Sequence, residues 1–135
     1  MTMTLSLFDI AGRAMSAQLV RLNTTASNLA NAGAVAATDE AAFKPLKPVF
    51  QTIYEGQSGR ATVAIAGVVQ AQVNPQRRYE PGHPLADAQG YVHVAAVDPN
   101  AELVELVETS RQYRNNIEVL TTAKSLTLET LRLGK

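Results

Sequence analysis

Along residues 4 to 31 the apolar positions Leu5, Phe8, Gly12, Met15, Leu19, Leu22, Ala26 and Leu29 alternate in steps of three and four, the period of a helix presenting one face to a partner. The spacing predicts a helix about 40 Å long, too long for a small globule to enclose. From residue 98 the same alternation returns in Leu103, Leu106, Ser110, Tyr113, Ile117 and Leu120. After Leu120 it drifts by a stutter to Leu128 and Leu131, which unwinds a supercoil locally. Asp98 is placed to cap this second helix and Pro99 to occupy its first turn. Glu102, Glu105 and Glu108 near its start and Arg132 and Lys135 near its end suit its dipole, and Gly134 stops it.

Between the helices the pattern changes to alternation and β-branched runs. "VFQTIYE" (49–55), "ATVAIAGVVQAQV" (61–73) and "GYVHVAAV" (90–97) read as strands. Val63, Ile65, Gly67, Val69, Ala71 and Val73 share one face at period two, with a bulge or bend expected at Gly67. All six prolines and five of the seven aromatics fall in this middle part, which points to a packed unit there. "FKPLKP" is an extended lead-in that cannot continue the first helix. The expected fold class is α+β: long N- and C-terminal helices paired as an antiparallel coiled coil, with a small central antiparallel β domain. The divisions are 1–35 for the first helix, 36–97 for the β-rich domain and 98–135 for the second helix.

Composition narrows the function. Twelve basic and twelve acidic side chains in 135 residues leave no net charge, so the footprint of a nucleic-acid binder is missing. There is no cysteine, which excludes disulfides, thiolate catalysis and cysteine-ligated zinc. The N-terminus has no leading basic residue, and Asp9 and Arg13 interrupt its apolar stretch, making a poor secretory signal. His83, Asp87 and His93 are the tempting metal or catalytic residues. His83, however, lies between Gly82 and Pro84 in a turn-rich loop, His93 alternates along a strand, and no ligand-spaced pair is present. There is no nucleophile elbow, P-loop or dinucleotide fingerprint. Neither an enzyme nor a cofactor nor a small-molecule substrate is expected.

One polar feature remains. "RLNTTASNLANAGA" places Asn23, Ser27 and Asn31 in one row, with Thr24 and Asn28 beside it, and carries no charge from Thr24 to Thr38. A merely solvated face more usually carries Glu and Lys. Small uncharged groups with hydrogen-bonding tips suit a surface touched by other chains. The expected subunit-packing residues are therefore Phe8, Met15, Leu19, Leu22, Asn23, Ser27, Asn28 and Asn31 on the first helix, with Tyr113, Ile117, Leu120, Leu128 and Leu131 on the second.

These residues also carry a resemblance. "FDIAGRAMSAQLVRLNTTASNLANA" resembles the N-terminal signature of bacterial flagellar rod, hook and hook-associated proteins. "RRYEPGHPLADAQGYV" and "ETSRQYRNNIEVLTTAKSLTLETLRLG" resemble the loop, strand and C-terminal helix of the flagellar proximal-rod family, and "KPVFQTI" fits the entry to its central domain. The chain departs from that pattern at "AGAVAATDEAAFKPL" and "AAVDPNAELVELV". The resemblance implies a structural subunit stacking helically into the periplasm-crossing drive shaft that carries motor torque. Its partners would be other copies of itself, neighbouring rod proteins and the rod cap. It would leave through the flagellar type III export apparatus without a cleaved signal peptide and reside in the basal body. The contrasting readings are a helical adaptor or export chaperone that binds client helices through the same seam, and a small metal-dependent hydrolase using His83.

Overall fold

The computed structural model describes residues 2–56 and 59–134. Its elements are helix α1 (Thr2–Ala30), strands β1 (Val35–Ala36), β2 (Leu46–Glu55), β3 (Arg60–Gln70), β4 (Gln76–Tyr79) and β5 (Tyr91–Val94), and helix α2 (Pro99–Leu133). The expectations for the Leu5 side chain and for Lys135 lie outside the described residues.

Each helix ends for a local reason. In α2 the Asp98 side chain accepts from the Asn100 N–H at 3.0 Å, and the Gly134 N–H closes the last turn on the Thr130 carbonyl. In α1 the Asn31 amide donates from Nδ2 to the Ser27 carbonyl at 2.8 Å, occupying an acceptor the helix leaves open at its C-terminus.

β2 and β3 form a long antiparallel hairpin, and β1, β5 and β4 form a separate sheet in that order. The hairpin register steps from Phe50 opposite Ile65 to Val49 opposite Gly67, leaving Ala66 extra. The bulge expected at Gly67 is thus one residue earlier. It shifts the alternation by one, so Val63 and Ile65 do not continue into the row of Val69. Two strands carry no apolar alternation in the sequence: β1 is two residues long, and all four residues of β4, "QRRY", are exposed.

The helices run antiparallel. Gln18 donates to Gln112 at 2.9 Å, Arg21 reaches Glu105 and Gln112, and the Asn28 amide approaches Glu102 at 3.4 Å. Continuing that register carries the last turn of α2 past the first turn of α1.

What is buried differs from the leucine rows. α1 buries Ala11, Ala17, Thr24, Thr25 and Asn28, whereas Leu19 is 44% exposed; α2 buries Thr109 and Ala123, whereas Leu103 and Ile117 are 46% and 42% exposed. The reason is that α1 touches both α2 and the β2–β3 hairpin, so its covered surface spreads beyond one seam. Small side chains line it and let the backbones approach. The central aromatics do not make the core expected of them either: Tyr54, Tyr79 and Phe50 are exposed, and Val92 is the large apolar side chain fully enclosed there.

Candidate functional site

The residues expected to pack against other subunits fall into two groups. Phe8, Met15, Leu22, Tyr113 and Leu120 are half-buried along the helix pair. Leu19, Asn23, Ile117, Leu128 and Leu131 are exposed. On α2, Leu103, Val107, Ile117 and Leu128 repeat at helical spacing, so one exposed stripe is apolar while the Thr109 and Ala123 side faces α1. Leu131 and Leu133, 63% and 87% exposed, sit on the part of α2 that reaches past α1.

The polar row resolves residue by residue. Asn28, 4% exposed, donates from Nδ2 to the Leu46 carbonyl at 2.9 Å and accepts the Leu46 N–H on Oδ1 at 2.7 Å. The side chain thus pairs with a backbone as a neighbouring strand would, pinning the start of β2 to the end of α1. Thr24 donates to the Arg21 carbonyl at 2.9 Å, and Asn31 serves its own helix end. Ser27 is half-buried beneath it.

Sequence reasoning missed the charged bridge between the helices. Arg21 donates through Nε to Oε1 of Glu105 at 3.0 Å and through a second nitrogen to Gln112 at 3.1 Å, and Glu108 accepts from Gln112 at 3.2 Å. A single arginine between Val20 and Leu22 gave no periodic signal. On the other flank, Arg13 donates to Thr62 at 2.8 Å, so α1 is tied to the hairpin as well. A cleft of about 750 Å³ opens there between Phe8, Gly12 and Val20 of the helix and Ile53, Val63 and Ile65 of the strands.

The loop 80–90 is shaped by its own backbone. Gly90 has φ +87°, and a Cβ there would stand 2.9 Å from the Tyr79 ring. The N–H groups of Gln89 and Tyr91 both donate to Asp87 at 2.9 Å. The Tyr91 N–H is the main cause holding the Asp87 carboxyl below the usual carboxylate range, joined by the Gln89 N–H and the Arg77 charge and opposed by desolvation. His83 accepts the Leu85 N–H on Nδ1 at 3.0 Å, while His93 lies beside Asp39. The three residues that suggested a metal site therefore have separate local roles, and among the described residues no cluster of three potential ligands forms.

Two long antiparallel helices at the chain ends with a β module inserted between them define an α+β chain whose helix pair leaves apolar side chains uncovered. The N-terminal part, residues 8–35, matches the family described as flagella basal body rod protein, and residues 88–133 match flagellar basal body rod FlgEFG protein C-terminal. The chain is 47% identical over 133 residues to the flagellar basal-body rod protein FlgC of Salmonella typhimurium strain LT2, covering 97% of this chain and 98% of that protein. It is 45% identical over 131 residues to FlgC of Escherichia coli O6:H1, at the same coverage, and 29% identical over 127 residues to FlgC of Aquifex aeolicus, covering 94% of each. The chain belongs to the FlgC family of flagellar basal-body rod proteins. That family is a structural one. No helix among the described residues is long and apolar enough to cross a membrane.

Proposed function

We propose that this structural rod subunit polymerises helically into the periplasm-spanning shaft that transmits motor torque, using the exposed apolar side of its helix pair to meet other copies and neighbouring rod proteins. The helices at 1–35 and 98–135 would line the inner tube, and the module at 36–97 would face outward. The supporting observation is surface area. The chain exposes 9183 Å², whereas a compact monomer of 14.5 kDa exposes about 6,900 Å². Exposed large apolar side chains on α2 include Leu103, Val107, Ile117, Leu128 and Leu131. Buried against another subunit, each leucine or isoleucine of the stripe contributes roughly 1.5 to 3 kcal/mol.

Export by the flagellar type III apparatus without signal cleavage, guidance by a rod cap and the absence of catalysis belong to the same reading. A chaperone-like adaptor would instead form a soluble one-to-one complex with a client helix.

Ile117→Asp and Leu131→Asp test the reading better than changes at Leu22 or Leu120, which are half-buried in the single chain. Both side chains are exposed in the single chain, so folding and secretion should continue. Incorporation into basal bodies and swarming in soft agar should fail, because assembly would bury an unpaired carboxylate in every subunit. Gln70→Asp on the exposed end of β3 serves as the control. Normal rods containing Leu131→Asp subunits would overturn the assignment.

A further inference from the structure

Gly12 lies inside α1 without the backbone conformation that calls for glycine: positive φ occurs at Gly59 and Gly90, not at Gly12. A Cβ on Gly12 would meet nothing within 4 Å. Alanine would therefore fit and would favour the helix, because glycine is among the poorest helix formers. Among the described residues nothing accounts for glycine here, so the close approach it permits is to something outside the chain.

Gly12 belongs to the helix wall of the cleft of about 750 Å³ between α1 and the β2–β3 hairpin. Across from it Ile53 and Val63 are 38% and 43% exposed, so apolar surface in the cleft is uncovered in the single chain. Gly12 and Ser16, one helical turn apart, are both exposed and leave a notch in that wall. Asp9 also lines the cleft, with a side chain 55% exposed. A matching occupant brings apolar side chains and a cation. The far end of α2 carries both on one face, since Leu131 and Arg132 stand three and four residues beyond Leu128. Leu128 and Leu131 are 47% and 63% exposed, and within residues 121–134 Lys124 and Arg132 outnumber the one acid, Glu129.

Resting on the reading that the chain polymerises, we propose that the Leu128, Leu131 and Arg132 face of one copy docks in the Gly12 cleft of the next, its helix lying against the notch and Arg132 pairing with Asp9. The two patches are different surfaces, so the contact is heterologous and continues into an open helical array instead of closing as a two-fold dimer. A chain cannot fill its own cleft. The Gln18–Gln112 bond sets Ser16 beside residue 114 in the antiparallel register, and Leu131 stands about 25 Å further along α2. The area suffices as well: 9183 Å² exposed against about 6,900 Å² for a compact monomer leaves about 2,300 Å², room for two patches of the roughly 800 Å² that each partner gives to a standard interface.

The chain has no cysteine, so introduced thiols report the contact directly. Cells make two tagged copies, one with Ser16→Cys and one with Leu131→Cys, and their purified basal bodies are oxidised. A disulfide joining the two tags is expected, and a copy carrying both changes should give a ladder of multimers. Gly12→Ala should raise Tm of the free chain by about 3 to 5 °C yet lower incorporation into basal bodies. Gly12→Leu should still fold and be secreted, with incorporation falling about tenfold or more as the notch is filled. Should Gly12→Leu fail to fold, the disulfide decides alone. Gly12→Leu chains incorporated at the parent level, bonds between two Ser16→Cys copies only, or bonds from Leu131→Cys to a different rod protein would each overturn this contact while the rod-subunit reading stands. A parent chain absent from basal bodies would instead overturn that reading, and the contact with it.

Discussion

The Asn28 clip offers a sharp test of how the helical and β parts are joined. Asn28→Ala removes both hydrogen bonds to Leu46, at 2.9 and 2.7 Å, from a side chain that is 4% exposed. Each such bond contributes roughly 0.5 to 1.5 kcal/mol net, and a backbone group left without a partner in a buried place costs about 1 to 3 kcal/mol. Leu46 is half-buried, so water recovers part of that penalty. The expected loss is about 2 to 3 kcal/mol, which in a chain of this size lowers Tm by roughly 6 to 12 °C. Asn28→Asp should be at least as damaging near neutral pH. It keeps the acceptor for the Leu46 N–H but turns a second oxygen toward the Leu46 carbonyl and toward Glu102, whose Oε1 is 3.4 Å from the present amide nitrogen. Thermal melting gives the global cost, and hydrogen exchange of the Leu46 amide gives the local one. An Asn28→Ala chain with an unchanged melting curve and an unchanged Leu46 amide would refute the clip.

Gly90→Ala should destabilise by about 1 to 3 kcal/mol, because it combines positive φ with a Cβ 2.9 Å from the Tyr79 ring; denaturant midpoints and the tyrosine near-ultraviolet signal check it. Thr109→Val should be neutral or stabilising by up to about 1 kcal/mol, since Thr109 is fully buried and its hydroxyl has no partner; a clear loss of stability in urea would contradict this. Asp87 has a lowered folded-state pKa, so its contribution is present above the unfolded value of about 3.9 and lost as pH falls through the lower folded one. Acid titration of the loop should therefore show a change below about pH 4 that Asp87→Asn, still able to accept the two N–H bonds, lacks.

The two helices were legible because a three-four alternation over many turns has few other solutions, and because Asp98 and Pro99 mark a start by simple capping chemistry. The β2–β3 hairpin was legible from its β-branched runs. β4 was not: "QRRY" is held by pairing with β5 rather than by burial of its own side chains, so it leaves no periodic trace. The seam was displaced for a related reason. Leucine periodicity reports which faces of a helix are apolar, not which neighbour covers each face. In α1 the close contacts fell to Ala11, Ala17 and Thr24, and in α2 to Thr109. Asn28 stood out in the sequence as an oddity, but its partner is the backbone of Leu46, and a backbone partner carries no sequence signal. Arg21 and Glu105 were invisible because a charge pair between helices follows from their register, which no single helix encodes.

The inversion of the usual order, small residues inside and leucines outside, bears on how the rod subunit gains its stability. Ala and Thr contacts allow the helices to approach, yet each contributes far less transfer free energy than a buried leucine would. Large apolar side chains at Ile117, Leu128 and Leu131 stay in water in the single chain, so the free energy of covering them is withheld until a neighbour arrives. Whatever binds only the ordered state shifts the folding equilibrium toward it. On the proposed reading, ordering of the far end of α2, where Leu131 and Leu133 are exposed, is coupled to the addition of the next subunit. Assembly then completes the fold of the subunit as well as adding to the shaft, and a charge placed on that stripe is felt by the polymer rather than by the chain alone.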